Sequence, residues 1–303
     1  MYDIIGDIHG YCSKLKELLI KMNYEKINGT WKHPERKAIF VGDYIDRGPE
    51  IRETLHLVRN MVEADAAIAL MGNHEFNALA FKYHHPDGGH IRKHSHKNIL
   101  QHYETIRQFH DHESEWEDYL GWIANLPLFL EIDGLRIVHA CWDDNHIDYL
   151  KKINGPITKE ILLKAHDKEN HKDAWTVYEE ILKGKEIKLP DGHFFIDKEG
   201  NKRTECRTKW WMNTDGLTLQ QYLFHAPVTV RELVVPEEYQ SEGYDVKAPN
   251  VFFGHYWLDP ATPTLQSENI CCLDYSVAKK GPLVAYRWSG ENTIDNKHFV
   301  SVR

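Results

Sequence analysis

Polar residues in five short segments of this 303-residue chain could bind metal ions and move protons. The metal-ligating candidates are Asp7, His9, Asp43, Asn73, His139 and His255. Carboxylate, amide and imidazole donors without a thiolate suit Mn²⁺, Fe or Zn²⁺ better than a soft metal. Such a set, with one carboxylate shared, is large enough for two ions. Two ions about 3.5–4 Å apart can stabilise both the attacking and the leaving oxygen of an in-line displacement, and they lower the pKa of a bridging water.

A short apolar run precedes each of the five polar segments. The runs cover residues 2–5, 38–41, 66–71, 135–138 and 251–253. Amphipathic helical spacing follows the first two runs, and another helical stretch is expected from near Phe76. Buried strands that alternate with helices predict an α/β fold, and ligands in such folds gather at the carboxyl ends of the strands. We therefore expect all five segments to meet at one site.

The rest of the chain gives weaker signals. Residues 270–273 and 283–286 are predicted strands that could complete a second sheet, and the tail beyond Asn292 is expected to be a short surface extension. Residues at about 144–249 are interpreted as an insertion or cap over the site. The whole chain, residues 1–303, is thus predicted to be a single catalytic domain.

Three of the polar segments resemble known family signatures. GDIHG at residues 6–10, GDYIDRG at 42–48 and GNHE at 72–75 are similar to motifs of the phosphoprotein-phosphatase family of calcineurin-like metallophosphoesterases. His139 and His255 match the two later histidines of that family. The resemblance implies a four-layer αββα sandwich, in which two mixed sheets are flanked by helices.

The resemblance also implies a role for each ligand. Asp7 and His9 would hold the first metal ion, and Asp43 would bridge both ions. Asn73, His139 and His255 would complete the second ion's coordination. The implied cofactors are two divalent ions, most often Mn²⁺ with Fe or Zn²⁺ as alternatives, and a hydroxide that bridges them would attack phosphorus.

Three further residues would act on the substrate by the same resemblance. His74 would be the general acid that protonates the leaving oxygen, and Asp46 would orient it. Arg47 would bind phosphate oxygens, for which a planar guanidinium is well suited. A second phosphate-binding arginine is expected from a later segment, with Arg207 as the candidate and Arg203 as its rival.

The sequence indicates the substrate class less specifically than it indicates the metal ligands. Residues 254–257 read GHYW, so Trp257 stands where many relatives have the second histidine of GHxH. This difference favours the phosphatase branch, with phosphoserine or phosphothreonine in proteins as the first expectation. A bis(5′-nucleosyl)-tetraphosphatase or an RNA-end phosphatase is the alternative, and a catalytically silent scaffold of the same fold is the non-enzyme alternative.

Composition limits the partners and the compartment. The net charge of −9 argues against a nucleic-acid binder. The family resemblance implies a phosphoprotein or a nucleotide as the partner. The apolar runs are too short to span a membrane. The five cysteines form no C-x-x-C pair, which favours a reducing compartment, so we expect a cytoplasmic protein.

The histidine-rich stretch from His84 to His112 is interpreted as solvated surface. The oligomeric state is left open.

Overall fold

The computed structural model describes residues 1–153, 155–196, 200, 202–259 and 262–303. The chain separates into two compact units. The larger unit comprises Met1–Leu182 and Pro249–Arg303, and the smaller unit comprises Lys183–Ala248. The smaller unit occupies the second half of the insertion predicted at about 144–249, whereas residues 144–182 belong to the larger unit. The role of this region as a cap stays a prediction.

The secondary structure alternates between short strands and helices. The strands are β1 (Tyr2–Ile5), β2 (Glu25–Ile27), β3 (Thr30–Lys32), β4 (Lys37–Phe40), β5 (Ala67–Ala69), β6 (Phe129–Ile132), β7 (Leu135–Val138), β8 (Glu186–Lys188), β9 (Phe195–Ile196), β10 (Lys202–Arg203), β11 (Glu205–Arg207), β12 (Asn250–Phe253), β13 (Ile270–Cys272), β14 (Leu283–Trp288) and β15 (Phe299–Val302). The α-helices are α1 (Cys12–Lys21), α2 (Ile51–Glu63), α3 (Asn73–Lys82), α4 (His96–Phe109), α5 (Glu113–Ile123), α6 (Asp144–Lys151), α7 (Lys159–Ala165), α8 (Lys172–Lys183) and α9 (Leu219–Tyr222). Short 3₁₀ helices cover Val228–Val230, Glu237–Tyr239, Val277–Lys279 and Asn296–His298.

Two mixed sheets form the centre of the larger unit. The first has the order β15-β14-β1-β4-β5, in which β1, β4 and β5 are parallel and β14 and β15 are antiparallel. The second has the order β13-β12-β7-β6, in which β13, β12 and β7 are parallel and β6 is antiparallel. The carboxyl ends of the parallel strands are therefore the positions from which the polar segments start.

The two sheets pack face to face through one apolar core. Ile4 and Ile39 of the first sheet and Ile137 and Phe252 of the second belong to the same buried cluster, and each of these side chains is fully buried. A fully buried side chain of this size contributes about 1.5–3 kcal/mol relative to an exposed one. This packing is what fixes the strand ends relative to one another.

Helices cover the outer faces of both sheets. Helix α1 contacts β14 and β15, and α2 contacts β5. Helix α6 pairs with the second sheet through Asp144 and Arg136 at 3.1 Å and through Lys151 and Glu131 at 2.7 Å. The predicted αββα sandwich of two mixed sheets is confirmed. None of the described helices is long and apolar enough to cross a membrane.

Two details of the sequence interpretation are wrong. The strand predicted at residues 283–286 does not join the second sheet, because β14 lies in the first sheet between β1 and β15. The tail beyond Asn292 is not only a surface extension, because it contains β15, an edge strand paired with β14. Both errors concern which strand pairs with which, a property that apolar runs do not encode.

Candidate metal centre

Asp43, which lies just after β4, is at the centre of the site. Its carboxylate is almost completely buried. Asp43 Oδ1 lies 3.4 Å from His139 Nε2, and Asp43 Oδ2 lies 3.6 Å from His9 Nε2 and 3.9 Å from His74 Nε2. The backbone N–H of His74 donates to Oδ1 at 3.0 Å. One carboxylate thus faces imidazoles from three different segments.

The remaining predicted ligands complete the same cluster. The backbone N–H of His255 donates to the two carboxylate oxygens of Asp7 at 3.1 and 3.3 Å. Asn73 Oδ1 lies 3.1 Å from His139 Nε2. Ligand atoms of Asp43, His139 and His255 lie within 4.8 Å of one another. The structure therefore brings all six predicted ligands together, although they are spread over nearly 250 residues of the chain.

The orientation of the imidazoles fits a divalent cation. His9 Nδ1 lies 3.1 Å from the carbonyl oxygen of Ile45, and His139 Nδ1 lies 2.9 Å from that of Val41. In a neutral imidazole, a hydrogen bond from Nδ1 to a carbonyl leaves Nε2 as an acceptor. His9 Nε2 is buried and has no hydrogen-bond partner within the part of the chain that the structure describes. Its lone pair faces the Asp43 carboxylate, an arrangement that a cation between them would stabilise.

The electrostatics of Asp7 and His9 agree with this fit. Burial, together with the charges of Asp274 and Asp43, raises the pKa of the Asp7 carboxyl well above its usual range. Asp274 lies on the segment that follows β13 and is itself buried. Burial also lowers the pKa of His9, and Arg47 lowers it further. A bound cation would offset the repulsion between the buried carboxylates and would accept the lone pair of the neutral His9 imidazole. In such surroundings it stabilises the folded protein most.

Several site residues have a strained backbone. His9, Asp43, Asp46, Arg47 and His255 have φ angles of 48°, 55°, 67°, 67° and 66°, which lie in the left-handed region. Such conformations cost of order 1 kcal/mol or more for residues other than glycine and are concentrated at functional sites. Here the sharp turns after β1, β4 and β12 direct the side chains toward the cluster.

Two glycines allow the backbone to approach the carboxylates closely. A Cβ atom at Gly72 would overlap Asp43 Oδ1, and a Cβ atom at Gly254 would overlap Asp7 Oδ1. These positions require glycine for steric reasons, because the two carboxylate oxygens occupy the space of a side chain.

Glu75 holds the backbone around Asp43 through hydrogen bonds. Its carboxylate accepts hydrogen bonds from the backbone N–H groups of Asp43, Tyr44 and Gly72 at 2.8 to 3.0 Å, and a longer one of 3.3 Å from Ile45. Glu75 is the last residue of the GNHE motif, for which the sequence predicted no role of its own. Its position three residues after Gly72, the residue that precedes α3, is where a carboxylate often caps a helix, and this is the signal that could have found it.

The predicted acid and its partner are in contact. Asp46 Oδ2 lies 2.5 Å from His74 Nδ1, so the Nδ1–H of the imidazole donates to this carboxylate. Asp46 Oδ1 lies 2.7 Å from His102 Nδ1 and accepts the hydroxyl hydrogen of Thr105 at 2.6 Å. Burial raises the pKa of the Asp46 carboxyl, but the charges and hydrogen bonds of His102 and His74 hold it below its usual range.

His102 and Thr105 were missed in the sequence. His102 is buried against Asp46, so the interpretation of the histidine-rich stretch as solvated surface is wrong at this residue. No local signal distinguishes it from its exposed neighbours.

Arg47 lies beside the predicted acid. Its Nη2 is 3.2 Å from His74 Nε2, and its Cζ is 4.0 Å from the centre of the Trp257 ring. Burial lowers the pKa of Arg47, which the charges of Asp43 and Asp274 oppose. The guanidinium therefore lies at the edge of the cluster, between His74 and Trp257.

A sequence model of the calcineurin-like phosphoesterases matches residues 2–256. The chain belongs to this family. It is accordingly a hydrolase of phosphate esters, and the family implies divalent metal ions as cofactors. Within this phosphoesterase fold, the predicted ligands, the predicted acid and Arg47 all belong to the larger compact unit.

Curated relatives of this phosphoesterase include bis(5′-nucleosyl)-tetraphosphatases described as asymmetrical. The protein from Oceanobacillus iheyensis is 30% identical over 192 residues, which cover 58% of this chain and 75% of the relative. The protein from Halalkalibacterium halodurans is 45% identical over 74 residues, which cover 24% of this chain and 30% of the relative. The chain thus spans three quarters of one relative and less than a third of the other.

Solved structures of phosphatases share the fold. A cold-active protein tyrosine phosphatase superposes with a TM-score of 0.52 at 15% identity, covering 98% of this chain and 79% of that protein. A protein serine/threonine phosphatase from Saccharomyces cerevisiae superposes with a TM-score of 0.50 at 13% identity, covering 99% and 78%. At these identities the likeness concerns the fold alone.

The two predicted arginines of the later segment belong to the smaller unit. Arg207 lies in β11, which pairs with β8 so that Arg207 is opposite Glu186. Arg203, in β10, forms an ion pair with Glu186 at 3.3 Å. Whether either of them binds substrate phosphate in this phosphoesterase stays a prediction.

Proposed function

We propose that this chain hydrolyses bis(5′-nucleosyl) polyphosphates at a centre that holds two divalent ions. The observation that carries the metal centre is the position of Asp43, whose two carboxylate oxygens face different histidines. The nucleotide substrate is supported by the tetraphosphatase from Oceanobacillus iheyensis, of which three quarters aligns with this chain. We place this substrate ahead of phosphoproteins, which the sequence alone favoured.

The residues would divide into two ligand sets around a shared carboxylate. Asp7 and His9 would hold one ion, and Asn73, His139 and His255 would hold the other. Asp43 would contact both, because its Oδ2 faces His9 while its Oδ1 faces His139. Oxygen and imidazole donors suit Mn²⁺, and Fe or Zn²⁺ would also fit. Bound ions of this kind neutralise phosphate charge and lower the pKa of a water molecule, which supplies a nucleophile near neutral pH.

Arg47 and His74 would act on the phosphate and on its leaving group. The guanidinium of Arg47 can donate two parallel hydrogen bonds to phosphate oxygens. His74, whose Nδ1–H is held by Asp46, would carry a second proton on Nε2 and transfer it to the departing oxygen once Arg47 Nη2, which lies 3.2 Å from Nε2, donates to the phosphate instead. The Asp46 carboxylate fixes the tautomer of this imidazole and stabilises its protonated form.

The five cysteines are all buried free thiols. Thiols in this state are typical of a reducing compartment, and we therefore keep a cytoplasmic location as part of the proposal.

The proposal is tested in two steps. First, hydrolysis of p-nitrophenyl phosphate with added Mn²⁺ is compared between the wild type, Asp43→Asn and the control Asp87→Asn, which alters an exposed loop carboxylate. We expect Asp43→Asn to lose at least about 100-fold in rate and to bind less metal by mass spectrometry, while Asp87→Asn retains both. Equal rates for Asp43→Asn and the wild type would refute the metal centre, and metal binding without any hydrolysis would indicate a scaffold.

Second, a substrate panel decides the substrate class. Diadenosine tetraphosphate, phosphoserine and phosphothreonine peptides, and RNA with a 3′-phosphate are compared by kcat/KM. We expect the dinucleotide to be the best substrate and to be cleaved unequally, into ATP and AMP. A phosphopeptide or an RNA end that is hydrolysed more efficiently would replace the dinucleotide as the substrate.

A further inference from the structure

Two cationic side chains, from different segments of the chain, lie close to the ring of Trp257. Arg47 Cζ lies 4.0 Å from the ring centre, and Lys279 Nζ lies 3.7 Å from the same centre. Trp257 is half-buried, whereas Lys279 is exposed at the end of the 3₁₀ helix Val277–Lys279. Neither Trp257 nor Lys279 has a role in the proposed chemistry so far.

A buried carboxylate fixes this arrangement. Asp274 Oδ2 accepts a hydrogen bond from the backbone N–H of Trp257 at 2.8 Å, and Asp274 Oδ1 accepts one from Ser276 at 2.9 Å. Asp274 is 2% exposed. The same side chain therefore holds the turn that carries Trp257 and the turn that leads into Lys279. The backbone of both turns is in the left-handed region, with φ of 50° at Trp257 and 62° at Ser276.

The geometry brings two positive charges close together beside the metal cluster. Because both distances end at the same ring centre, the separation of Lys279 and Arg47 is within the Debye length of about 8 Å at physiological ionic strength. The electron-rich faces of an indole attract cations, which offsets part of their mutual repulsion. A pair of adjacent cations matches a ligand that carries more than one negative group.

Arg47, Trp257 and Lys279 form a row, and one end of this row lies at the reacting groups. Arg47 Nη2 lies 3.2 Å from His74 Nε2, so the Arg47 end of the row is at the reacting groups. Lys279 is at the other, exposed end. A single phosphate would occupy only the Arg47 end. A chain of linked phosphates that starts at Arg47 would continue along Trp257 toward Lys279.

We propose that Lys279 binds the phosphates beyond the reacting one, and that Trp257 holds Lys279 and Arg47 at the spacing that this requires. Lys279 and Arg47 together would make the site select nucleoside polyphosphates over simple phosphomonoesters. This inference rests on the proposed hydrolysis of dinucleoside polyphosphates and identifies a residue that determines its specificity.

The test compares Lys279→Gln with Lys280→Gln, which removes the same charge from the exposed neighbouring residue. The measured quantity is the ratio of kcat/KM for diadenosine tetraphosphate to kcat/KM for p-nitrophenyl phosphate. We expect Lys279→Gln to lower this ratio about 10-fold and to weaken its dependence on salt, because one cation that contacts the polyphosphate is lost. Lys280→Gln should leave both the ratio and its salt dependence unchanged.

Three outcomes would overturn the inference, and they are distinguishable. If the wild type hydrolyses the dinucleotide and Lys279→Gln keeps the wild-type ratio, Lys279 merely packs on Trp257. If Lys280→Gln lowers the ratio as much as Lys279→Gln does, general surface charge is responsible. If the wild type hydrolyses p-nitrophenyl phosphate but not the dinucleotide, the proposed substrate class is wrong and this inference fails with it.

Discussion

His102 Nδ1 lies 2.7 Å from Asp46 Oδ1, although 56 residues separate the two in the chain. The other oxygen of the same carboxylate holds His74, and Thr105 donates to the oxygen that His102 contacts. Both His102 and Thr105 belong to α4, so this helix fixes the carboxylate that orients the proposed acid. We therefore expect His102 to be a positioning residue that acts through Asp46.

Replacing His102 should slow the step that needs the acid. His102→Ala removes a charge-assisted hydrogen bond from Asp46 and lets this carboxylate and His74 move, so we expect kcat to fall about 10-fold with metal content unchanged. His102→Asn keeps a donor close to the position of Nδ1 and should retain activity within about threefold of the wild type.

A leaving-group series separates positioning from general damage. Loss of acid catalysis affects poor leaving groups most, so phenyl phosphate should lose more than p-nitrophenyl phosphate in His102→Ala. Equal losses for the two substrates, or failure of His102→Asn to restore the rate, would contradict the assignment.

Glu75 should be important for the stability of the site. Glu75→Gln replaces one carboxylate oxygen by an NH₂ group, which leaves backbone N–H groups of the Asp43 turn without an acceptor. We expect the free energy of unfolding to fall by about 2 kcal/mol. Glu63→Gln is the matched control, because Glu63 pairs with Arg59 on the exposed face of α2 and should change stability by less than about 0.5 kcal/mol. Urea unfolding measures both, and similar losses in the two variants would contradict this role.

Metal removal should destabilise the fold, and Asp7→Asn should respond differently from the wild type. Burial and the neighbouring carboxylates Asp274 and Asp43 raise the pKa of Asp7, so its charge is unfavourable when the cations are absent. In chelator, Asp7→Asn should therefore unfold at a higher temperature than the wild type. Added Mn²⁺ at about 100 times its Kd should stabilise the wild type by about 2.7 kcal/mol and the variant by less. The same Mn²⁺ response in both proteins would argue against Asp7 as a ligand.

The sequence predicted the parts of the site that local patterns encode. Each predicted ligand follows an apolar run, and Asp7, Asp43 and Asn73 stand beside glycines in the motifs that carried the family resemblance. Strand positions were predicted to within a few residues for the same reason. These features depend on neighbours in the chain, which a single sequence displays directly.

The sequence could not predict contacts that arise only when the two sheets and their helices pack. His102 is one of several histidines in its stretch, and only its contact with Asp46 distinguishes it. The arrangement of Arg47, Trp257 and Lys279 likewise depends on hydrogen bonds that Asp274 accepts from the backbone of Trp257 and Ser276. The placement of β14 in the first sheet was mispredicted because its partner β1 is nearly the whole chain away.

Gly72 gives a direct steric test of how closely the site is packed. Gly72→Ala adds a Cβ atom where Asp43 Oδ1 and the Asp43 backbone nitrogen already lie. Because both atoms are fixed by Glu75 and His74, the strain cannot be relieved by moving a flexible side chain. We expect the free energy of unfolding to fall by about 3 kcal/mol and Mn²⁺ binding to weaken together with it.

Gly121→Ala is the matched control for this substitution. Gly121 is exposed within α5, and an added Cβ atom would meet nothing within 4 Å. Alanine is preferred over glycine inside a helix, so this variant should be more stable by about 0.5–1 kcal/mol. Both variants are measured by thermal unfolding with and without Mn²⁺. If Gly72→Ala is less stable and Gly121→Ala is more stable than the wild type, the destabilisation arises from the contact with the Asp43 carboxylate. A Gly72→Ala variant that folds and binds metal like the wild type would mean that the turn after β5 can move away from Asp43, and the close approach would then have no role in holding this ligand.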